Sequence, residues 1–366
     1  EFRRVLFRSN CSTHTKLYDQ HIFTNCRLFS LPGTDYSGVQ PAPLGPEDRH
    51  CHPGVRRRHC HRPAQHGVRL PATAVLIEIF CEIEDKRAVD VASGEALREA
   101  IREVKARTDK PFGVNITLMK SFRITEETFM DFFRVCAEEK VANIEVSGLF
   151  ATDFIPMLHA AGVRITHKVG AVRHAMKIER LGYDAVIVAG VEEGGHPLAD
   201  NVATSVLLPK VAESVKIPIL ATGGMVDGKS MAAALCLGAD GIMMATRFLA
   251  SEECWVHDNI KNWIVQLNET DTDLFCHTTL QARGVKNSVL AKVNELEKNG
   301  ADQSEIVRAV SGKKLLAALR DGDTEGAAFL FGQSIGRIHE IKSCKAIIDD
   351  TMAVCEETLR AKAALF

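Results

Sequence analysis

The chain has 366 residues, 46% hydrophobic and 25% charged, which matches ordinary soluble globular proteins and excludes disordered and fibrous classes. Its formal net charge of −2 leaves no electrostatic footprint for nucleic acid or an anionic membrane surface. The longest apolar run, Ala72 to Cys81, is broken by Glu78 and falls short of the roughly 20 residues a membrane span needs, so the expectation is a cytoplasmic protein acting on a small molecule.

In chain order, residues 1–92 form an aberrant N-terminal segment. It opens on EFRRVLFRS, which reads as translated adapter, and it shows no helical or strand period up to about residue 70. Between His50 and His66 lie Cys51, His52, Arg56, Arg57, Arg58, His59, Cys60 and His61. Out-of-frame translation of GC-rich coding sequence yields this mixture. A zinc site is the competing reading, but it needs ligand pairs separated by a fixed loop. Eleven cysteines, an odd number scattered over a long chain, do not make the framework of a small disulfide-rich scaffold. Candidates for two strands that would help close a barrel lie in this segment, Val75 to Phe80, branched and apolar, being the better one.

From Ser93 the pattern is regular. GEALREAIREVKART places Leu97, Ile101 and Val104 on one helical stripe behind a Ser93 cap. Strands are expected at Phe112 to Leu118, Ala142 to Val146, Arg164 to Lys168, Ala185 to Val188, Pro218 to Ala221 and Gly241 to Ala245. Helices are expected between them at Glu126 to Ala137, Val172 to Leu181, Thr204 to Ser214 and Gly228 to Leu237. Such alternation predicts an α/β fold, a TIM (β/α)8 barrel spanning 93–250 whose N-terminal strands are degraded or incomplete. Residues 251–366 read as an insertion and a C-terminal helical cap.

The chemistry-bearing residues collect at the C-terminal ends of these strands, the face where barrel active sites lie. ILATGGMVDG sets Thr222, Gly223 and Gly224 between a strand and a helix, so bare amides can approach a phosphate. IMMATRF, with Met244, Ala245 and Thr246, repeats the device one strand later. Two glycines alone more often make only a tight turn; the pair of devices favours a phosphate site. In EEGGHPLADN, Gly194 and Gly195 let backbone pass close to a flat ligand beside His196. An imidazole titrating near pH ~6.5 suits removal of a proton from a carbon acid, although a lone histidine is more often structural. Lys168 ends a buried strand, where an ammonium needs an anion or an electron-rich ring. His167 alternates to the opposite face and packs behind the barrel.

PFGVNITL, THKV, GGHPLADN, IPILATGGMVDGKSMAAALCLGADGIMMATRFLA and, more loosely, TDTDLF with ARGVKN resemble the nitronate monooxygenase family, from about Ala96 onward. Its relatives include flavin-dependent enoyl-acyl carrier protein reductases and NADH:quinone reductases. The resemblance implies non-covalent FMN, with its phosphate on Gly223, Gly224, Ala245 and Thr246, and with Asn115, Thr117 and Lys168 near the isoalloxazine. His196 matches the family histidine, which deprotonates a nitroalkane or steers its nitronate; flavin and oxygen then yield a carbonyl compound and nitrite. An NAD(P)H-dependent quinone or enoyl-thioester reductase on the same site is the alternative, as is a truncated barrel without activity. A homodimer is a further expectation. Two departures stand out: Ala245 replaces a usual glycine, and only GTDYSGVQPAPLG, Gly33 to Gly45, remains of the family's opening flavin-contacting strand. The segment from Thr270 to Asn287 is expected over the flavin, with His277 and Arg283 facing substrate or nicotinamide.

Overall fold

A computed structural model describes strands at residues 26–30 and 74–79, residues 93–118, and residues 126–365. The basic Cys/His stretch of 50–66, with its zinc alternative, and the glycine-rich remnant of 33–45 lie outside the described residues.

Strands β1 (Cys26–Ser30) and β2 (Ala74–Ile79) precede helix α1 (Gly94–Arg107), whose first turn is capped by Ser93 Oγ accepting from Ala96 N at 3.4 Å. The barrel body follows as β3 (Phe112–Leu118), α2 (Glu126–Glu138), β4 (Asn143–Gly148), α3 (Ile155–Ala160), β5 (Arg164–Val169) and α4 (Val172–Leu181). It continues with β6 (Ala185–Ala189), α5 (Thr204–Ala212), β7 (Ile219–Thr222), α6 (Gly228–Cys236), β8 (Gly241–Met244) and the single turn α7 (Thr246–Leu249). All six expected barrel strands form, each within two residues of its expected ends. Helix α3 carries no periodic signal, being six residues long with a proline in its first turn.

Strands β3 to β8 run parallel in sequence order, and the ring closes as β1-β2-β8-β7-β6-β5-β4-β3. Strand β2 pairs parallel with β8, whereas β1 pairs antiparallel with both β2 and β3. The α/β barrel is therefore present, with six strands as its regular parallel part and a departure from all-parallel order at β1. Because helices cover the outside and side chains fill the inside, the parallel strands are buried on both faces.

Alternation sorts the two faces. Val114, Ile116, Ile144, Val146, Ile165, Ile242 and Met244 belong to the core between strands and helices. Asn115, Thr117, Glu145, Ser147, Thr166 and Lys168 alternate with them and face the barrel axis.

After the barrel come α8 (Asp258–Ile264), the hairpin β9 (Thr272–Phe275) and β10 (Ala282–Val285), then α9 (Ser288–Lys298), α10 (Gln303–Ala309) and α11 (Gly312–Asp321). Helix α12 (Cys344–Ala363) returns to the barrel's outer layer against α6. The approach is close: a Cβ on Gly228 would stand 2.4 Å from Cys355 N and Thr351 O. Among the described residues no helix is long and apolar enough to cross a membrane.

Candidate active site

A hollow of about 1070 Å³, open mouth included, lies where the C-terminal ends of β5 to β8 meet the insertion. Lys168, Gly194, Gly195, Thr222, Gly223, Gly224, Ala245 and Thr246 line it, so eight of the sequence-derived positions converge. Met244 does not: β8 alternation turns it outward into the core at 0% exposure, and its neighbour Met243 faces the hollow instead.

The floor of the hollow is a glycine cradle. Gly223 and Gly224 both have φ of +80°, a conformation costly for residues bearing a Cβ. Among the described residues their amides have no hydrogen-bond partner, although Gly223 is buried. Thr246 opens α7 beside them, and its Oγ1 accepts from Gly332 N at 3.2 Å. An open buried amide in the turn between β7 and α6 suits an anion.

The loop after β6 supplies the wall. Both oxygens of Glu192 accept from Thr204 N, at 3.1 and 3.0 Å, which places its charge on the first turn of α5. Glu193 accepts from Lys168 Nζ at 3.3 Å. Each carboxylate thus has a donor partner within the wall. Gly194 crosses Gly332 so closely that a Cβ on it would lie 2.3 Å from Leu330 O.

His196 projects from the same loop but reaches solvent rather than the floor. Gly195, at φ +94°, exchanges backbone hydrogen bonds with Arg283, at 3.2 and 2.7 Å, and so stitches the loop to β10. The His196 Nδ1 sits 3.1 Å from Gln281 O. A carbonyl only accepts, so Nδ1 carries the proton and Nε2 keeps its lone pair. Desolvation by the surrounding loops, with the Lys168 ammonium adding to it, holds the imidazole below the usual histidine value.

Asn115 and Thr117 lie in the barrel wall and not on the hollow's surface. Asn115, 2% exposed, donates from Nδ2 to Glu145 and accepts from Thr117 Oγ1 at 3.2 Å; Thr117 in turn accepts from Ser147 at 3.1 Å. His167 packs behind the barrel as alternation requires, 5.0 Å from the Phe150 ring and 5.2 Å from Tyr183. The insertion behaves differently from expectation. The Arg283 guanidinium is buried and donates to Val191 O at 2.8 Å and Thr272 Oγ1 at 3.2 Å, so it braces the hairpin, and His277 points to solvent.

Sequence reasoning missed the apolar side of the hollow: Leu249 at the end of α7, and Trp255, Val256, Leu315, Leu319 and Phe331 brought in by the post-barrel chain. The amphipathic pattern of α11 signals a buried stripe but cannot say what the stripe covers. Glu193 was legible as the second acid of EEGG, yet its partner was not.

A glycine cradle with open amides and a lysine thus share one hollow at the rim of the barrel, an arrangement that can hold a phosphorylated ligand, with His196 on the loop that forms its wall. Residues 88–353 match the family model for nitronate monooxygenase, and the chain belongs to this family, whose members are FMN-dependent flavoproteins. The chain is 33% identical to the (3aS,4S,5R,7aS)-5-hydroxy-7a-methyl-1-oxo-octahydro-1H-indene-4-carboxyl-CoA dehydrogenase of Rhodococcus jostii, over 74% of this chain and 84% of that protein. It is 26% identical to a probable nitronate monooxygenase of Staphylococcus saprophyticus, over 73% and 86% of the two chains. The solved structure of FabK from Thermotoga maritima superposes with a TM-score of 0.69 at 37% identity, covering 75% of this chain and 85% of that one.

Proposed function

We propose that this chain is an FMN-dependent oxidoreductase of the nitronate monooxygenase type, with His196 as base. The observation that carries the reading is the anchored imidazole: Nδ1–H is committed to Gln281 O, leaving Nε2 to take a proton from a carbon next to an electron-withdrawing group. Gly223, Gly224, Ala245 and Thr246 would hold the FMN phosphate, and Lys168, Gly194, Gly195 and Thr222 would border the ring. Asn115 and Thr117 would act from inside the wall by keeping the strand ends rigid. Bound FMN would supply the acceptor for the electron pair that deprotonation leaves on carbon. This chain's residues bind the ring, take the proton at Nε2 and close the apolar side against water.

Purified protein incubated with FMN and desalted is expected to be yellow, with absorbance near ~450 nm. It is then expected to release nitrite from propionate 3-nitronate in air. A colourless protein would refute the flavin reading; a yellow protein releasing no nitrite would refute the nitronate reading alone.

A second reading is favoured by the apolar wall and by the 33% identity to a carboxyl-CoA dehydrogenase. In it the carbon acid is an acyl thioester with a bulky hydrocarbon body, lodged against Leu315, Leu319 and Trp255. Anaerobic bleaching of the flavin by a saturated cyclic acyl-CoA supports this reading. Bleaching by NADH or NADPH alone supports the reductase direction, with the nicotinamide as co-substrate.

A further inference from the structure

The ion pair between Lys168 and Glu193 does work that proton abstraction does not require. Lys168 comes from the end of β5 and Glu193 from the loop that carries His196 three residues on. Their charged ends meet at 3.3 Å inside the hollow, with the lysine side chain 25% and the glutamate side chain 9% exposed. At such burial screening is weak and neighbouring charges are felt strongly. An unopposed ammonium there would disfavour imidazolium at His196 and favour electron density on any ring above it. A carboxylate at 3.3 Å offsets both effects.

We propose that Glu193 is a positioning residue which pins the Lys168 ammonium to the wall of the hollow and offsets its charge, thereby setting the basicity of His196 and the electron affinity of the bound flavin. The part concerning the flavin rests on the FMN reading; the part concerning His196 does not. His196 lies on the outer part of this loop, and what acts on its imidazole is, largest first, desolvation, the carbonyl of Gln281, the Lys168 ammonium and the carbonyl of Leu280. Nearby charges are committed elsewhere, Glu192 to Thr204 and Arg283 to Val191 and Thr272. Glu193 therefore acts on the imidazole through the lysine.

Two substitutions separate charge from tethering. Glu193→Gln keeps an acceptor for Lys168 but removes the negative charge, and Lys168→Met keeps the stem but removes the positive one. Histidine-ring NMR titration of the full chain without flavin is the first measurement, with the His196 signal identified by its loss in His196→Asn. The expected result is a lower His196 midpoint in Glu193→Gln, a higher one in Lys168→Met, and an intermediate one in the double variant. In the FMN-loaded proteins, the flavin midpoint potential is expected to rise in Glu193→Gln and to fall in Lys168→Met. Shifts of one sign in both single variants, or no shift at His196 in either, would overturn the proposal. Lys168→Gln replaces the methionine variant if that one does not fold. Failure of the wild type to take up FMN would sink the flavin reading and leave the His196 comparison standing as a test of the charge offset.

Discussion

A carbonyl oxygen at 3.1 Å decides which nitrogen of His196 is free, and desolvation, with the Lys168 ammonium adding to it, holds the imidazole below the usual histidine value. The sign for catalysis follows. A base with a depressed value stays competent as pH falls past the ordinary histidine midpoint of ~6.5, so kcat/KM on a neutral nitroalkane should hold to lower pH than a free imidazole would allow. His196→Asn should remove that acidic limb and lower turnover by roughly 10²–10⁴-fold, the usual worth of a positioned base. It should spare preformed nitronate, which has no proton to give up. A pH–rate profile measured on both substrates checks this, and equal losses on both would exclude the role. At the same scale, Met244 shows the limit of reading a motif as a unit. Within IMM the two methionines point to opposite faces of one strand, and only the outward one falls at the motif's conspicuous end.

Elements matter here mainly by how closely they approach one another. Helices α6 and α12 meet across Gly228, where a single methyl group would lie 2.4 Å from backbone atoms of α12. Gly228→Ala should therefore push the C-terminal helix off the barrel, at a cost of about 1–3 kcal/mol for overpacking, read as a lower denaturation midpoint in urea. An unchanged midpoint would mean that α12 shifts freely. The start of α6 is fixed independently: Asp227 Oδ1 accepts from Ser230 N at 2.8 Å, and Ser230 Oγ accepts from Asp227 N at 3.0 Å. Burial raises the Asp227 carboxyl, but Arg337 and Ser230 outweigh it and leave it below the usual carboxylate range. Since a lowered folded value means stability present above the unfolded value and lost as pH falls through the folded one, this cap should weaken only in acid. Arg337 follows the strand-free stretch that supplies Phe331 and Gly332 to the hollow, so cap and site share one segment.

At the scale of the molecule, the barrel's rim and the post-barrel chain enclose the hollow together, so ligand binding is linked to the folding of both. FMN at a hundred times its Kd should stabilise the protein by about 2.7 kcal/mol, which for a body of this size is a Tm rise of roughly 3–5 °C. Riboflavin at the same concentration should give much less, because the open amides of Gly223 and Gly224 address the phosphate it lacks. Equal shifts from the two ligands, seen by differential scanning fluorimetry, would remove the phosphate from the cradle.

The α/β alternation, the six parallel strands, the glycine turns and the histidine loop were legible in the residues, because each is a local matter of period, branching and backbone freedom. His167 and Lys168 could even be assigned opposite faces from alternation alone. Three other features were decided only in the folded chain. The insertion's arginine became a brace and its helix α11 became an apolar wall, the glutamate before the glycines acquired Lys168, and Asn115 was spent on Glu145 inside the barrel. Those outcomes depend on contacts between segments dozens of residues apart, and no local pattern encodes which distant side chain will stand opposite.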